Sequence, residues 1–458
     1  LTKGDGGGLD QFFKALNCYI LFLEGDEMEK REIYEKHQKY LVPCVTHYYQ
    51  EPLIFDRGKG KYLYDIEGKE YLDFFGGIVT ISVGHCDEEI TEKACEQMKK
   101  LQHTSTLYPT LPAISLAEKL AQITPGRLQK SFFTNSGTEA IETAVLLAQL
   151  YTKSNEVIAL RHCYSGLSLL TMDITGHQKW RLGGSLIPGI KHAHNAYCFR
   201  CAFGREYPQC DLECARDVKE LIETTTSGHP AAFIAEPIQG VGGFITPPKE
   251  YFKEVVSIVK GFGGLFICDE VQTGWGRTGG KMFGIEHWGV EPDIMVMAKG
   301  AANGSPVGIT IATPEVADGL KGSHLSTFGG NPVTATTVLA TIEAIEKRGL
   351  VQNAEKMGEY LRGRLEGLKE KFKIIGEVRG MGLIQGIEVV KGNKEPASDF
   401  VLEIFEKTKE EGLLIGKGGL YGNVVRITPP MTIEKGEIDR AVRILERAFG
   451  KVQDSYPV

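Results

Sequence analysis

No apolar stretch in this sequence approaches the roughly 20 residues that a membrane-spanning helix needs. The nearest one, residues 18–23, has neither the basic flank nor the cleavage site of a secretory leader. A basic excess is missing as well. With 52 Lys and Arg against 59 Asp and Glu, the formal net charge is −7, so the chain offers no positive field to nucleic acid or to anionic lipid. Internal repeats and low-complexity tracts are absent. The 55 glycines fall mostly singly or in pairs between apolar runs, as they do where many strands, loops and helices succeed one another. Without a secretory signal, the ten cysteines point to a reducing compartment, most simply the cytoplasm, in which most serve as small buried hydrophobes.

What is present suits an α/β protein. A chain of 458 residues, 42% of them hydrophobic, can bury a full core and suggests one large domain with a smaller companion. Residues 1–28, a Gly-rich start ending at Met28, are set aside as an extension or cloning remnant. Residues 29–80 read as an N-terminal arm: a charged helical stretch, then a hairpin through residues 63–74 that turns at Gly68. Between residues 81 and 328 short apolar runs (131–134, 157–160, 232–235, 265–268 and 294–298) alternate with helix-length segments. That alternation predicts a mostly parallel central sheet with helices on both faces. A polar insertion carrying four cysteines interrupts it at about residues 192–215. Residues 329–458 hold a long helical pattern, apolar strands near 383–390 and 424–427 and a closing helix, and with the arm they form a smaller α+β domain.

In an open parallel sheet, ligands bind beyond the carboxyl ends of the strands. Two apolar runs end in a charged residue there. Residues 294–298 lead into Lys299, where burial would depress the amine pKa and make it nucleophilic, and residues 265–268 lead into Asp269. An amine on one strand end and a carboxylate on another are the minimal equipment for pyridoxal phosphate (PLP), whose carbonyl needs a lysine and whose pyridinium nitrogen needs an anion. A buried ion pair accounts for the same two features equally well. The run at 131–133 leads into Thr134, Asn135, Ser136, Gly137, Thr138 and Glu139 and then an Ala-rich helix. Ser136, Gly137 and Thr138 would sit at a helix N-terminus suited to a phosphate dianion, although ordinary capping by Ser136 or Asn135 explains the same letters. Tyr164, on a loop closed by Gly166, could stack on a pyridine ring or simply pack.

Five blocks together carry a resemblance: Asn135 to Glu139, Glu236 to Gly240, Asp269 to Gly274, Ala298-Lys299-Gly300, and Ser326 to Pro332. In this order they resemble the class III aminotransferases of PLP fold type I, over roughly residues 30–450, and most closely the alanine–glyoxylate aminotransferase 2 and omega-transaminase branch. The resemblance implies PLP as cofactor, held on Lys299, with Asp269 keeping the pyridine nitrogen protonated and Gln272 at the phenolic oxygen. Ser136, Gly137 and Thr138 would bind the phosphate, Tyr164 would stack on one ring face, and Thr327 would reach the phosphate in a partner subunit. It thus implies a homodimer with shared sites, or a tetramer built from it. Arg426 resembles the arginine that fixes a substrate carboxylate, with Glu236 pairing to it when no carboxylate is bound. Phe75, Tyr108 and Tyr164 would wall the substrate pocket. The activity implied is transfer of an amino group from alanine, a β- or ω-amino acid or an amine to a 2-oxo acid such as glyoxylate or pyruvate, by ping-pong kinetics. Aminomutases, racemases and a decarboxylase share these motifs and give a second reading.

Two features depart from the family pattern. Ser165 stands where many members have a histidine after the stacking aromatic. In the insertion, Cys198 and Cys201, then Cys210 and Cys214, have the spacing of a structural zinc site. Reduced surface thiols or a disulfide remain alternatives. A third reading makes the chain a non-catalytic α/β protein that uses this insertion as a metal-dependent interaction module.

Overall fold

The computed structural model describes residues 30–184 and 187–456. The expected extension, residues 1–28, lies outside them. Two units are distinguished, the first ending at Phe55 and the second running from Asp56 to the C-terminus. In the first, the helix Lys30–Tyr40 carries i,i+4 ion pairs Arg31–Glu35 and Glu32–Lys36, and the Tyr34 hydroxyl lies 2.9 Å from His47 Nε2.

In the second unit the alternation of apolar runs becomes a seven-stranded sheet. Its order is Lys130–Thr134, Gly308–Ala312, Ile294–Met297, Leu265–Asp269, Ala232–Ala235, Val157–Leu160, Ile190–Ala193. The last five strands are parallel neighbours; Gly308–Ala312 runs against both of its neighbours, so Lys130–Thr134 points the same way as the parallel set. Five of these strands (157–160, 232–235, 265–269, 294–297 and 308–312) are buried at every residue, the mark of a sheet covered on both faces. Alanines 140, 144 and 148 on the helix Gly137–Thr152 are fully buried, and Thr310 Oγ1 donates to Ala140 O at 2.8 Å, holding the helix on the sheet.

The C-terminal third forms an antiparallel sheet of Ile375–Met381, Ile384–Lys391, Val424–Ile427 and Gly416–Gly418, packed with the helices Leu350–Lys371, Ser398–Glu410 and Lys435–Ser455. Strand Glu70–Asp73 of the expected arm pairs in parallel with Leu413–Leu414, joining arm hairpin and C-terminal layer in one sheet. The helix Pro332–Lys347, capped by Asn331, begins where the sequence places the domain boundary, but residues on both sides of that boundary belong to the same unit.

Candidate active site

Because six strands of the large sheet point one way, their carboxyl ends lie along one edge, and five of those ends deliver the residues singled out in the sequence. Thr134 leads to Ser136, Leu160 to Tyr164, Ala235 to Glu236, Met297 to Lys299, and Asp269 ends its own strand. Register sets them side by side: Ala235 pairs with Cys268, and Asp269 with Val296. The result is one cavity of about 170 Å³ lined by Gly137, Thr138, Tyr164, Glu236, Asp269, Gln272 and Lys299, with Ile141, Ser165, Gly166, Leu167, Val271 and Ala298 completing the wall. That volume is several times the ~30 Å³ share of a water molecule, enough for a small organic group.

The local backbone is shaped for the purpose. Lys299 has φ 44°, a left-handed conformation that costs a non-glycine residue about 1–3 kcal/mol and persists where the surroundings enforce it. Gly300 lies so close to Ser82 that a Cβ would fall 2.5 Å from Ser82 Oγ, which instead donates to Gly300 O at 3.1 Å. Lys299 is half-buried and lines the cavity. Burial depresses its amine to about 8, against the upward pull of Asp269 and with a further downward push from Arg426. Asp269 is buried, accepts from Val271 N–H at 3.0 Å and is raised by that burial, while Lys299 draws it back down. Glu236 accepts from Tyr164 N–H at 3.1 Å and Gly240 N–H at 2.7 Å; burial and the Asp269 charge raise it strongly. Two neighbouring carboxyls and one amine therefore share a site in which their proton affinities are drawn toward neutrality.

Arg426 reaches the site from the strand Val424–Ile427. Its Nη2 donates to Gln272 Oε1 at 2.6 Å, and its guanidinium lies 4.5 Å from the Phe244 ring centre and 5.5 Å from that of Phe75. The amide of Gln272 meets the guanidinium, while each Glu236 oxygen accepts one backbone N–H and keeps acceptor capacity for a further donor. Tyr108 is 68% exposed and lies outside the cavity lining. Thr327 is also exposed and outside it, on a segment that lies against the phosphate-loop strand: Ser326 Oγ accepts from Asn135 Nδ2 at 3.4 Å, and a Cβ on Gly329 would fall 1.9 Å from Phe133 O. Ser165 is buried, with its N–H donated to Thr175 Oγ1 at 3.0 Å.

A model of the family described as aminotransferase class-III matches residues 45–449. The chain belongs to the class III aminotransferases. Among curated proteins this aminotransferase is similar to alanine–glyoxylate aminotransferase 2 homolog 2, mitochondrial, of Arabidopsis thaliana, 42% identical across 92% of this chain and 87% of the relative. It is similar to the human alanine–glyoxylate aminotransferase 2, mitochondrial, at 38% across 91% and 86%. A leucine/methionine racemase of Thermococcus litoralis is also 38% identical, across 93% and 97%. Among solved structures, a transaminase from the marine bacterium Virgibacillus superposes with a TM-score of 0.85 at 31% identity, covering 92% of this chain and 99% of that one. An amine transaminase from an uncultivated Pseudomonas species, in a PLP-bound form, gives 0.84 at 29%, covering 90% and 98%. The fold is PLP fold type I, and the protein is a PLP-dependent aminotransferase.

The residues present fit that cofactor. Ser136 caps the helix Gly137–Thr152, its Oγ accepting from Glu139 N–H at 3.2 Å, and the first N–H groups of a helix have no partner within it and favour a phosphate dianion. A Cβ on Gly137 would come 3.3 Å from Val271 and 3.6 Å from Ala298, so glycine keeps backbone and cavity wall close. Bound there, PLP supplies the electron sink for amino-group transfer. The chain's own side chains do the rest. Asp269 holds a negative charge where a pyridinium nitrogen would sit, Tyr164 offers a ring to one face, and Lys299, with its amine near 8, is neutral in a sizeable fraction near physiological pH and so able to act as nucleophile and to take or return a proton.

Ile141, Leu167 and Val271 of the cavity wall, and the buried Phe244 beside Arg426, were not anticipated. Their only sequence signal is adjacency: Val271 follows Asp269-Glu270, and Phe244 lies beyond the Glu236 block on a turn closed by the Gln239–Ile245 bridge. In the insertion, Cys198, Cys201, Cys210 and Cys214 line a single second cavity. Burial, with the three other thiols, pushes Cys214 up to about 12. Among the described residues, however, no three or more His, Cys, Asp or Glu side chains already stand where they could hold a metal ion.

Proposed function

We propose that this aminotransferase takes the amino group of alanine, a β- or ω-amino acid or an amine and passes it to glyoxylate or pyruvate by a ping-pong mechanism. The observation that carries the reading is Arg426, buried near the rings of Phe75 and Phe244, with its Nη2 donating to the neutral amide of Gln272. A guanidinium in that setting offers a planar fork to a carboxylate, and the amide is displaced at lower cost than a carboxylate would be. The alanine–glyoxylate names of its relatives support the acceptor choice. A donor panel with pyruvate and with glyoxylate tests it: absence of turnover with either acceptor across alanine, β-alanine, 4-aminobutyrate and 1-phenylethylamine refutes the reading.

The racemase relative favours a second reading. The two part on a single-turnover experiment with donor alone. A transaminase releases keto acid in amount equal to its sites; a racemase releases none and scrambles the donor's configuration.

We further infer a homodimer, or a tetramer built from it, in which Thr327 acts at the partner's site. Leu107, Tyr108, Leu111, Ile114, Leu325 and Phe328 are each more than half exposed, apolar side chains that an interface between copies would cover. The cytoplasm remains the proposed compartment, supported by nine described cysteines that are all free thiols. Cell fractionation with an antibody checks it.

A further inference from the structure

The cysteine-bearing insertion takes no part in the chemistry above, yet the fold gathers its four thiols. Cys198 starts the short turn Cys198–Arg200 and Cys201 ends it; Cys210 precedes the helix Glu213–Thr225, and Cys214 sits in its first turn. Asp211 and Leu212, at φ 49° and 53°, turn the chain between the second pair. All four side chains line one cavity of about 20 Å³, a little above the ~10–15 Å³ that admits a single water-sized occupant. It has room for one small ion and not for an organic ligand. Apolar walls from Phe203, Leu212 and Pro248 surround it.

We propose that this cavity is a structural site for a thiophilic divalent ion of the zinc class, ligated by Cys198, Cys201, Cys210 and Cys214. Two short-spaced cysteine pairs are the ligand set such an ion takes in closed tetrahedral sites. The thiols face the cavity without yet standing as a metal-binding group, so binding includes an inward rotation of the side chains about χ1. Four S–H bonds break, four metal–sulfur bonds form, four protons leave to solvent and a net dianionic centre results. Arg205, which lines the same cavity and pairs with Glu213 at 3.2 Å, is the nearby cation.

The site's placement gives it a task. Just before Cys198, Asn195 Nδ2 donates to Gln239 Oε1 at 2.8 Å and the Tyr197 hydroxyl bonds to Glu388. Arg379 bonds the same Glu388 and donates from Nε to Gly243 O at 2.8 Å. The ion would therefore pin the insertion onto residues 236–243, the loop that starts at Glu236.

The test uses PLP-loaded enzyme expressed with added zinc and dialysed free of loose metal. Plasma mass spectrometry should find about one zinc per chain, as for a four-cysteine structural site. The Cys198→Ser/Cys210→Ser double variant should lose it, and the Cys95→Ser variant should keep it. A parent essentially free of zinc, or a double variant with undiminished zinc, overturns the proposal. Since the double variant can fail to fold, a second measurement uses the parent chain: zinc is stripped by a mercurial reagent and chelator, thiols are restored and cobalt(II) is added. The red-region bands of tetrahedral thiolate-bound cobalt support the site; the pale spectrum of octahedral cobalt overturns it.

Discussion

Gly308 stands opposite Thr134 where the antiparallel strand crosses the phosphate loop. A Cβ there would lie 2.1 Å from Ser136 O and 2.2 Å from Thr134 Oγ1, against an ordinary contact of 3.4 Å or more. Gly308→Ala therefore has to move the Ser136 peptide by more than an ångström, and although the Thr134 side chain can turn aside, the closest atom it meets is backbone. Ser136 O accepts the first bond of the helix from Ala140 N–H at 3.1 Å, and Ser136 Oγ caps Glu139 N–H, so the shift disturbs the helix N-terminus that would hold the phosphate. Overpacking of this kind costs about 1–3 kcal/mol. If the strain falls on the phosphate site, cofactor affinity drops about 5- to 150-fold, while the chemistry at Lys299, on a different strand end, is spared. Equilibrium dialysis of PLP against the parent and the variant, followed by kcat at saturating PLP, reads both quantities. A Gly308→Ala protein with parental PLP affinity would refute the assignment of this loop as the phosphate cradle.

Four further outcomes are expected. Gly363→Ala, in the exposed middle of the helix Leu350–Lys371 with nothing within 4 Å of the added Cβ, should stabilise the protein by about 0.5–1 kcal/mol, read as a raised denaturant midpoint with activity unchanged. Arg426→Ala should raise KM for donors bearing a carboxylate about 10-fold or more, the worth of a charged hydrogen bond, and leave a carboxylate-free amine such as 1-phenylethylamine little affected; equal losses for both would remove Arg426 from carboxylate recognition. In PLP-free protein, acylation of Lys299 should rise with pH through about 8 and not through the ordinary lysine range, followed by peptide mass spectrometry. The lowered amine also makes stability rise with pH above 8: between there and the unfolded value the unfolded chain binds the proton that the folded chain lacks. Phe328→Asp together with Leu111→Glu should shift the oligomer toward monomer in analytical ultracentrifugation and reduce PLP affinity; a monomer with unchanged affinity and activity would sink the shared-site reading.

The sheet was legible because most of its strands are buried runs with no alternation, and the residues that end them are the ones an apolar interior excludes. Lys299 and Asp269 stand out from sequence for that reason, whereas the strands Ile190–Ala193 and Gly308–Ala312 are missing from the sequence reading, the first because Lys191 and His192 interrupt its apolar character and the second because it is short and opens on glycine. Tyr108 shows the opposite limit. Its place outside the cavity, 68% exposed, depends on how residues 101–110 lie on the surface, which no local pattern encodes.

Arg426 shows where reasoning from residue type stops and geometry begins. A buried arginine beside a buried glutamate suggests an ion pair by charge alone, yet Glu236 arrives at the edge with two backbone N–H groups already pointed at it, from Tyr164 and Gly240. Those donors are fixed by the turn after Ala232–Ala235 and by the loop after Val157–Leu160, so each carboxylate oxygen has a partner that does not depend on the guanidinium. Gly240 has a part in this, because a Cβ there would fall 2.4 Å from Gln272 Nε2, and any larger residue would push the amide away from Arg426. A Gly240→Ala variant should thus lose the Gln272–Arg426 contact without touching either residue. Its signature is a changed KM for carboxylate-bearing donors with kcat for a carboxylate-free amine unaltered, and a KM equal to the parent's for both classes would mean that the amide does not govern access to the guanidinium.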